Sequence, residues 1–178
     1  MTLVVLDPGH GGHDPGAVGP HGLRESDVNL AVSLATRDSL EAAGYEVVLT
    51  RQSDEFIPIG VRARMANQVN ADCFVSIHCN AFTNPQAHGT ETFAFSPASL
   101  GTGLARIIQP RLIDALGTRD RGVKFANFQV LRETRMPAVL PELAFISNPA
   151  EEAMLADHAT QGVIAVTLST AIQTWRTP

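Results

Sequence analysis

The sequence predicts an α/β fold: a single domain with a mostly parallel twisted sheet and helices on both faces. Two observations carry that expectation. Apolar runs alternate along the chain with amphipathic stretches, the order expected of successive strand-helix-strand units. The 178 residues also fit one domain able to bury a real core, with no internal repeat, linker or low-complexity segment to divide residues 1–178.

The elements follow in order. Residues from about 2 to 7 (the run opening Met1-Thr2-Leu3-Val4) read as a strand. A helix is predicted over Ser26–Ala43, with a start signal in Ser26-Asp27, the stripe Leu30, Ala31, Leu34, Ala35, and a stop at Gly44. A strand at about 45–50 precedes a helix that follows Pro58 and lines up Val61, Met65 and Val69. Strands are predicted at Cys73–His78 and Thr90–Phe95, then a helix from about Ser99 to Leu116 that Pro110 should kink or break. Short strands near 128–131 and 138–142, a short helix at 149–156 and a last helix from about Thr160 to Trp175 complete the prediction.

Bulk properties exclude several classes. Hydrophobic residues make up 44% and charged residues 17%, which is ordinary for a globular chain and argues against disorder. A net charge of −5 with scattered arginines leaves no basic footprint for nucleic acid. No apolar run is long enough to span a membrane, and the opening residues read as a core strand, not a signal peptide. If the natural protein is exported, its signal or targeting segment is not in this chain. Cys73 and Cys79 lie about 20 Å apart along one strand, too far to pair with each other.

Chemistry concentrates at strand ends. His10, in the turn Gly9-His10-Gly11-Gly12, follows the first apolar run. His78 closes Ser76-Ile77-His78, and Glu142 follows Leu140-Pro141. In open α/β sheets ligands bind outside the carboxyl ends of the strands, and two histidines with a carboxylate suit a zinc hydrolase. Glu142, bracketed by apolar residues, should be desolvated, which raises its pKa and suits a general base near neutrality; the competing role is a buried ion pair with an arginine. Glu25 stands where acidic residues favour a helix N-terminus for dipole reasons alone. A phosphate-cradling loop fails on spacing, because neither glycine fingerprint is present.

Several segments align in order with one family: Asp7-Pro8-Gly9-His10-Gly11-Gly12, Gly16-Ala17, Gly22-Leu23-x-Glu25, Leu49-Thr50-Arg51, Arg64-x-x-Asn67, Ala71-Asp72, Ser76-Ile77-His78-x-Asn80, Arg121-Gly122-Val123-Lys124, and Pro141-Glu142 through Ser147-Asn148-Pro149. Together they resemble the zinc-dependent N-acetylmuramoyl-L-alanine amidases of bacterial cell-wall metabolism, over nearly the whole chain. The resemblance implies that His10, Glu25 and His78 bind one Zn²⁺ and that Glu142 is the catalytic carboxylate. It further implies a secreted or cell-wall autolysin that acts outside the cytoplasm on peptidoglycan, cutting between N-acetylmuramic acid and L-alanine.

Asn80 and Arg132, near the ends of site-forming strands, are candidates for substrate binding, with structural hydrogen bonds as the alternative. His13 is not expected to bind the metal; His21, His88 and His158 are expected at the surface, and Glu91 against a neighbouring strand or solvent. Two departures from the family pattern are Ala144 in Glu142-Leu143-Ala144-Phe145, where glycine is common, and Cys79, expected to point opposite to His78 into the interior. Some relatives carry an inhibitory helix between the second histidine and the glutamate. The stretch Ala81–Leu100 is too short for it, so an open site is expected. Oligomeric state is not encoded in any motif, and a monomer is the expectation. Two rivals remain open: a wall-binding module without catalysis, and a zinc peptidase of the stem peptide.

Overall fold

Six strands form one sheet in the order β2-β1-β3-β6-β4-β5. The computed structural model describes residues 2–176, so Met1 lies outside the described residues. The strands are β1 (Leu3–Pro8), β2 (Glu46–Leu49), β3 (Cys73–Asn80), β4 (Thr90–Ala94), β5 (Asp120–Phe125) and β6 (Ala138–Phe145). The helices are α1 (Glu25–Ala42), α2 (Ile59–Gln68), α3 (Gly101–Leu116), α4 (Gln129–Glu133), α5 (Pro149–Ala156) and α6 (His158–Arg176). All neighbouring strands run parallel except β4 against β6. The sheet is therefore mostly parallel, as predicted.

Side-chain alternation divides the core. Cys73, Val75, Ile77 and Cys79 of β3 face one layer with Val28 and Val32 of α1, Leu104 and Ile108 of α3, and Leu168 and Ile172 of α6. Phe74 of β3, Val5 of β1 and Leu140 of β6 face the other, beneath Ala66 of α2 and Val130 and Leu131 of α4. Period-two exposure of opposite faces places Ser76, His78 and Asn80 on the second side, together with Glu142 two residues beyond Leu140.

Three local expectations are corrected. The stretch near 128–131 is not a strand but helix α4, whose Val130 and Leu131 bury one side against the α2 layer. The strand in this region is β5, hidden in sequence because Asp120-Arg121-Gly122-Val123-Lys124-Phe125 is a charged, partly exposed edge. Helix α3 continues unbroken through Pro110, held by the burial of Leu104, Ala105, Ile108 and Leu112 on either side of it. Strand β6 also runs on to Phe145, so Glu142 sits within it and not at its end.

Candidate active site

The site begins with strain at the end of β1. His10 has φ 60°, a left-handed conformation that costs a non-glycine residue about 1–3 kcal/mol and persists only where neighbours impose it. Two buried arginines impose it here. Arg51 donates from Nε to the Pro8 carbonyl (3.0 Å) and from Nη2 to those of Gly9 (2.9 Å) and Ser26 (2.8 Å). Arg62 donates from Nη1 to Pro8 O (2.6 Å) and from Nη2 to His10 O (2.7 Å). Arg62 is itself neutralised by the fully buried Asp7, 2.8 Å away, whose carboxylate also accepts from Thr50 Oγ1 and Ser76 Oγ, both at 2.6 Å. Arg51 and Arg62 were not read as site residues from the sequence. The only local hint was the Leu49-Thr50-Arg51 run, and Arg62 gave none.

Onto this turn the fold brings His10, Glu25 and His78, whose ligand atoms all lie within 4.8 Å of one another. Glu25 Oε1 is 3.2 Å from His10 Nε2 and 2.9 Å from His78 Nδ1. These spacings fit a tetrahedral cation, whose ligands at the usual bond lengths lie about 3.3 Å apart. Two of the three side chains have an outer partner that fixes their orientation. Asp14 Oδ2 holds His10 Nδ1 at 2.8 Å, turning Nε2 to the centre, and Glu25 Oε2 accepts from the Ala17 amide at 2.9 Å. Outer partners of this kind set tautomer and basicity in metal sites.

The backbone makes room for them. A Cβ at Gly16 would meet Glu25 Oε2 at 2.6 Å and His10 Cδ2 at 2.7 Å, and φ 67° suits only glycine well. Electrostatics match the packing. Burial works to raise the Glu25 pKa, but the hydrogen bonds and charges of His10 and His78 outweigh it and hold the carboxyl well below the usual range. Burial likewise opposes a charge on His10, yet Glu25 and Asp14 raise it to about 9. The Glu25 carboxylate is thus held ionised between the two imidazoles.

Glu142 faces the same cavity, a volume of about 250 Å³ lined by His10, His78, Arg62, Ile59, Phe128, Leu140 and Glu142 among others. His78 and Glu142 are direct register partners across β3 and β6, so their side chains share a face. Oxygen Oε2 of Glu142 is sealed from solvent and has no hydrogen-bond partner. Burial is the main cause that pushes this carboxyl up to about 7, with the charges of Glu25 and Glu91 adding to it against His78. Among the described residues no arginine pairs with Glu142, so the ion-pair alternative fails.

The remaining candidates separate. Asn80 donates from Nδ2 to Glu91 (2.8 Å) and accepts at Oδ1 from the Ala81 amide (2.9 Å). Arg132 sits exposed on α4, bonded to Asn127 and Glu133, and does not line the cavity of the histidines. His13 packs on Phe56 at 4.1 Å, away from the cluster, while His21, His88 and His158 are exposed. Cys79 is buried opposite His78, its amide donating to Glu25 Oε1 at 3.1 Å and its thiol 3.7 Å from Asn29 Oδ1. Between β3 and β4 the chain forms no helix, as expected from its length.

A partly buried imidazole–carboxylate cluster of a kind that could hold a metal ion, beside a second carboxylate in the same cleft, marks this α/β domain. The chain belongs to the Amidase_3 family, N-acetylmuramoyl-L-alanine amidase, whose model matches residues 4–174. The catalytic domain of CwlV, an N-acetylmuramoyl-L-alanine amidase from Bacillus (Paenibacillus) polymyxa var. colistinus, superposes with a TM-score of 0.95 at 38% identity, covering 98% of both chains. The amidase AmiC2 of Nostoc punctiforme gives 0.94 at 35%, covering 98% of this chain and 96% of that one. In sequence, the chain is 35% identical to the amidase AmiC of Neisseria meningitidis, over 96% of this chain and 52% of AmiC. It is 40% identical to LytC of Bacillus subtilis, over 93% of this chain and 35% of LytC. The chain thus spans about half the length of the first relative and about a third of the second.

Proposed function

We propose that this chain, as one catalytic domain, is a zinc-dependent N-acetylmuramoyl-L-alanine amidase acting on peptidoglycan. The observation that carries the reading is that His10, His78 and Glu142 line one cavity, with Glu25 buried beneath the two imidazoles and within reach of both. Two histidines and a glutamate would hold one Zn²⁺ and leave a coordination position free, as catalytic zinc sites do. When bound, the ion supplies Lewis acidity towards a carbonyl oxygen and a lowered pKa for water.

The protein's own groups do the rest. Glu142, with its pKa near 7, takes a proton from the attacking water as oxygen adds to the lactyl carbonyl of N-acetylmuramic acid. The same carboxyl then returns that proton to the alanine nitrogen as the C–N bond breaks. The products are a free lactyl carboxylate on an intact glycan strand and a stem peptide with a new L-alanine amino terminus. Asp14 and the Ala17 amide keep His10 and Glu25 in place through the cycle. Such a substrate puts the site of action outside the cytoplasm, and no helix of the described residues is long and apolar enough to cross a membrane.

The test is metal content of the purified protein together with hydrolysis of a muramoyl-peptide before and after chelation. One zinc per chain, activity lost on chelation and restored by Zn²⁺, and new L-alanine amino termini are the expected results. Cleavage within the stem peptide would make it a peptidase instead, and zinc without any cleavage would make it a binding module.

A further inference from the structure

The antiparallel register of β4 and β6 sets Glu91 directly opposite Glu142. Glu91 is buried, and three donors converge on it. Asn80 Nδ2 reaches Oε1 at 2.8 Å, while Arg121 Nε and Lys124 Nζ both reach Oε2 at 2.6 Å. Two cations thus share one oxygen of a single carboxylate. The carboxylate is held ionised: burial opposes this, but the hydrogen bonds and charges of Lys124 and Arg121 prevail and lower its pKa.

Both cations also have donors to spare. Among the described residues, Lys124 commits one of its three N–H groups, to Glu91, and its side chain is 39% exposed. Arg121 commits Nε to Glu91 and Nη1 to His88 O (3.3 Å), with its guanidinium stacked 4.7 Å over the Phe145 ring. The stack and the shared carboxylate keep the guanidinium in one orientation, so little side-chain entropy remains to be lost on binding.

We propose that Arg121 and Lys124, aligned by Glu91, form a subsite for a carboxylate on the peptide side of the scissile amide. This rests on the amidase reading and adds to it a preference within the substrate class. The anion it fits is the free carboxyl of an acidic residue following L-alanine, in contrast to its uncharged amide. Asn80 acts in this arrangement as a positioning residue for Glu91.

The test compares two substrates whose γ-carboxyl is closed as an amide, muramoyl-L-alanyl-γ-D-glutamyl methylamide and its D-isoglutaminyl counterpart, which differ in the α-carboxyl alone. With the zinc-loaded protein at low salt, kcat/KM should favour the acid by about tenfold, the scale of one charge-assisted hydrogen bond at a partly exposed site. The ratio should fall towards one in Lys124→Gln, return in Lys124→Arg, and shrink in added salt. Equal rates on both substrates, or a ratio that Lys124→Gln leaves unchanged, would overturn the subsite while leaving the amidase reading intact. Cleavage of neither substrate would remove both.

Discussion

The His78 imidazole occupies the space that a Cβ on Gly9 would need. Gly9 also donates its amide to Ile77 O at 3.0 Å, so the turn after β1 and the end of β3 are locked together. Gly9→Ala must therefore push the ring off Glu25. Zinc affinity should fall by at least about tenfold, the lower end for disturbed outer contacts in metal sites. Competition with a chromogenic chelator measures it, and native affinity in the variant would show that His78 can bind from a displaced position.

Asp14 is exposed enough that its loss should cost the fold little, yet it holds His10 Nδ1. Asp14→Ala should weaken zinc binding about 10–100-fold. The thermal midpoint of the chelated protein should stay almost unchanged. A large drop in that midpoint with zinc affinity preserved would make Asp14 a structural residue only.

Glu142→Gln should keep zinc and lose about 10²–10⁴ in turnover on a muramoyl-peptide. A near-native rate would take Glu142 out of the proton transfer.

The same substitution has a stability signature in the metal-free protein. The folded pKa of Glu142, about 7, lies above its ordinary 4.5, so the native state holds the proton more tightly than the unfolded chain. The stability this gives is complete below pH 4.5 and is lost as pH rises through 7. Under chelation, Glu142→Gln should therefore gain in thermal midpoint over the native protein as pH climbs through that window. A midpoint difference that is flat with pH would mean that Oε2 finds a partner or solvent in solution.

Arg62→Met should be among the most damaging single changes. It strands the buried Asp7 charge and frees the Pro8 and His10 carbonyls that Arg62 holds. Removing one partner of a buried pair costs about 3–5 kcal/mol, readable by denaturant unfolding. The double change Asp7→Asn with Arg62→Met should recover part of that loss.

Much of the site was legible because polar, chemistry-bearing side chains break or follow apolar runs, although β3 continues past His78 to Asn80 and β6 past Glu142 to Phe145. His10, His78 and Glu142 each interrupt or follow an apolar run, and that contrast survives in sequence without any tertiary information. Glu25 was different: its place at the start of α1 satisfies a helix dipole as well as a metal, and only the likeness to a family separated the two. The clamps of Arg51 and Arg62 were not legible, since the turn carbonyls they hold, those of Pro8, Gly9 and His10, lie 42 to 54 residues away. Strand β5 and helix α4 are hard to tell apart in sequence for one reason. At the sheet margin, burial is incomplete and the apolar pattern that separates strand from helix fades.

The strand order has one more consequence, for the company this domain keeps. It leaves β2 and β5 as the outer strands, where unpaired peptide groups invite another chain to add on. Strand β2 is only four residues long and starts with an exposed Glu46. Strand β5 carries Asp120, Arg121 and Lys124 and turns at Gly122 with φ 80°. Neither margin offers the long, flat, apolar ribbon on which sheets fuse into aggregates.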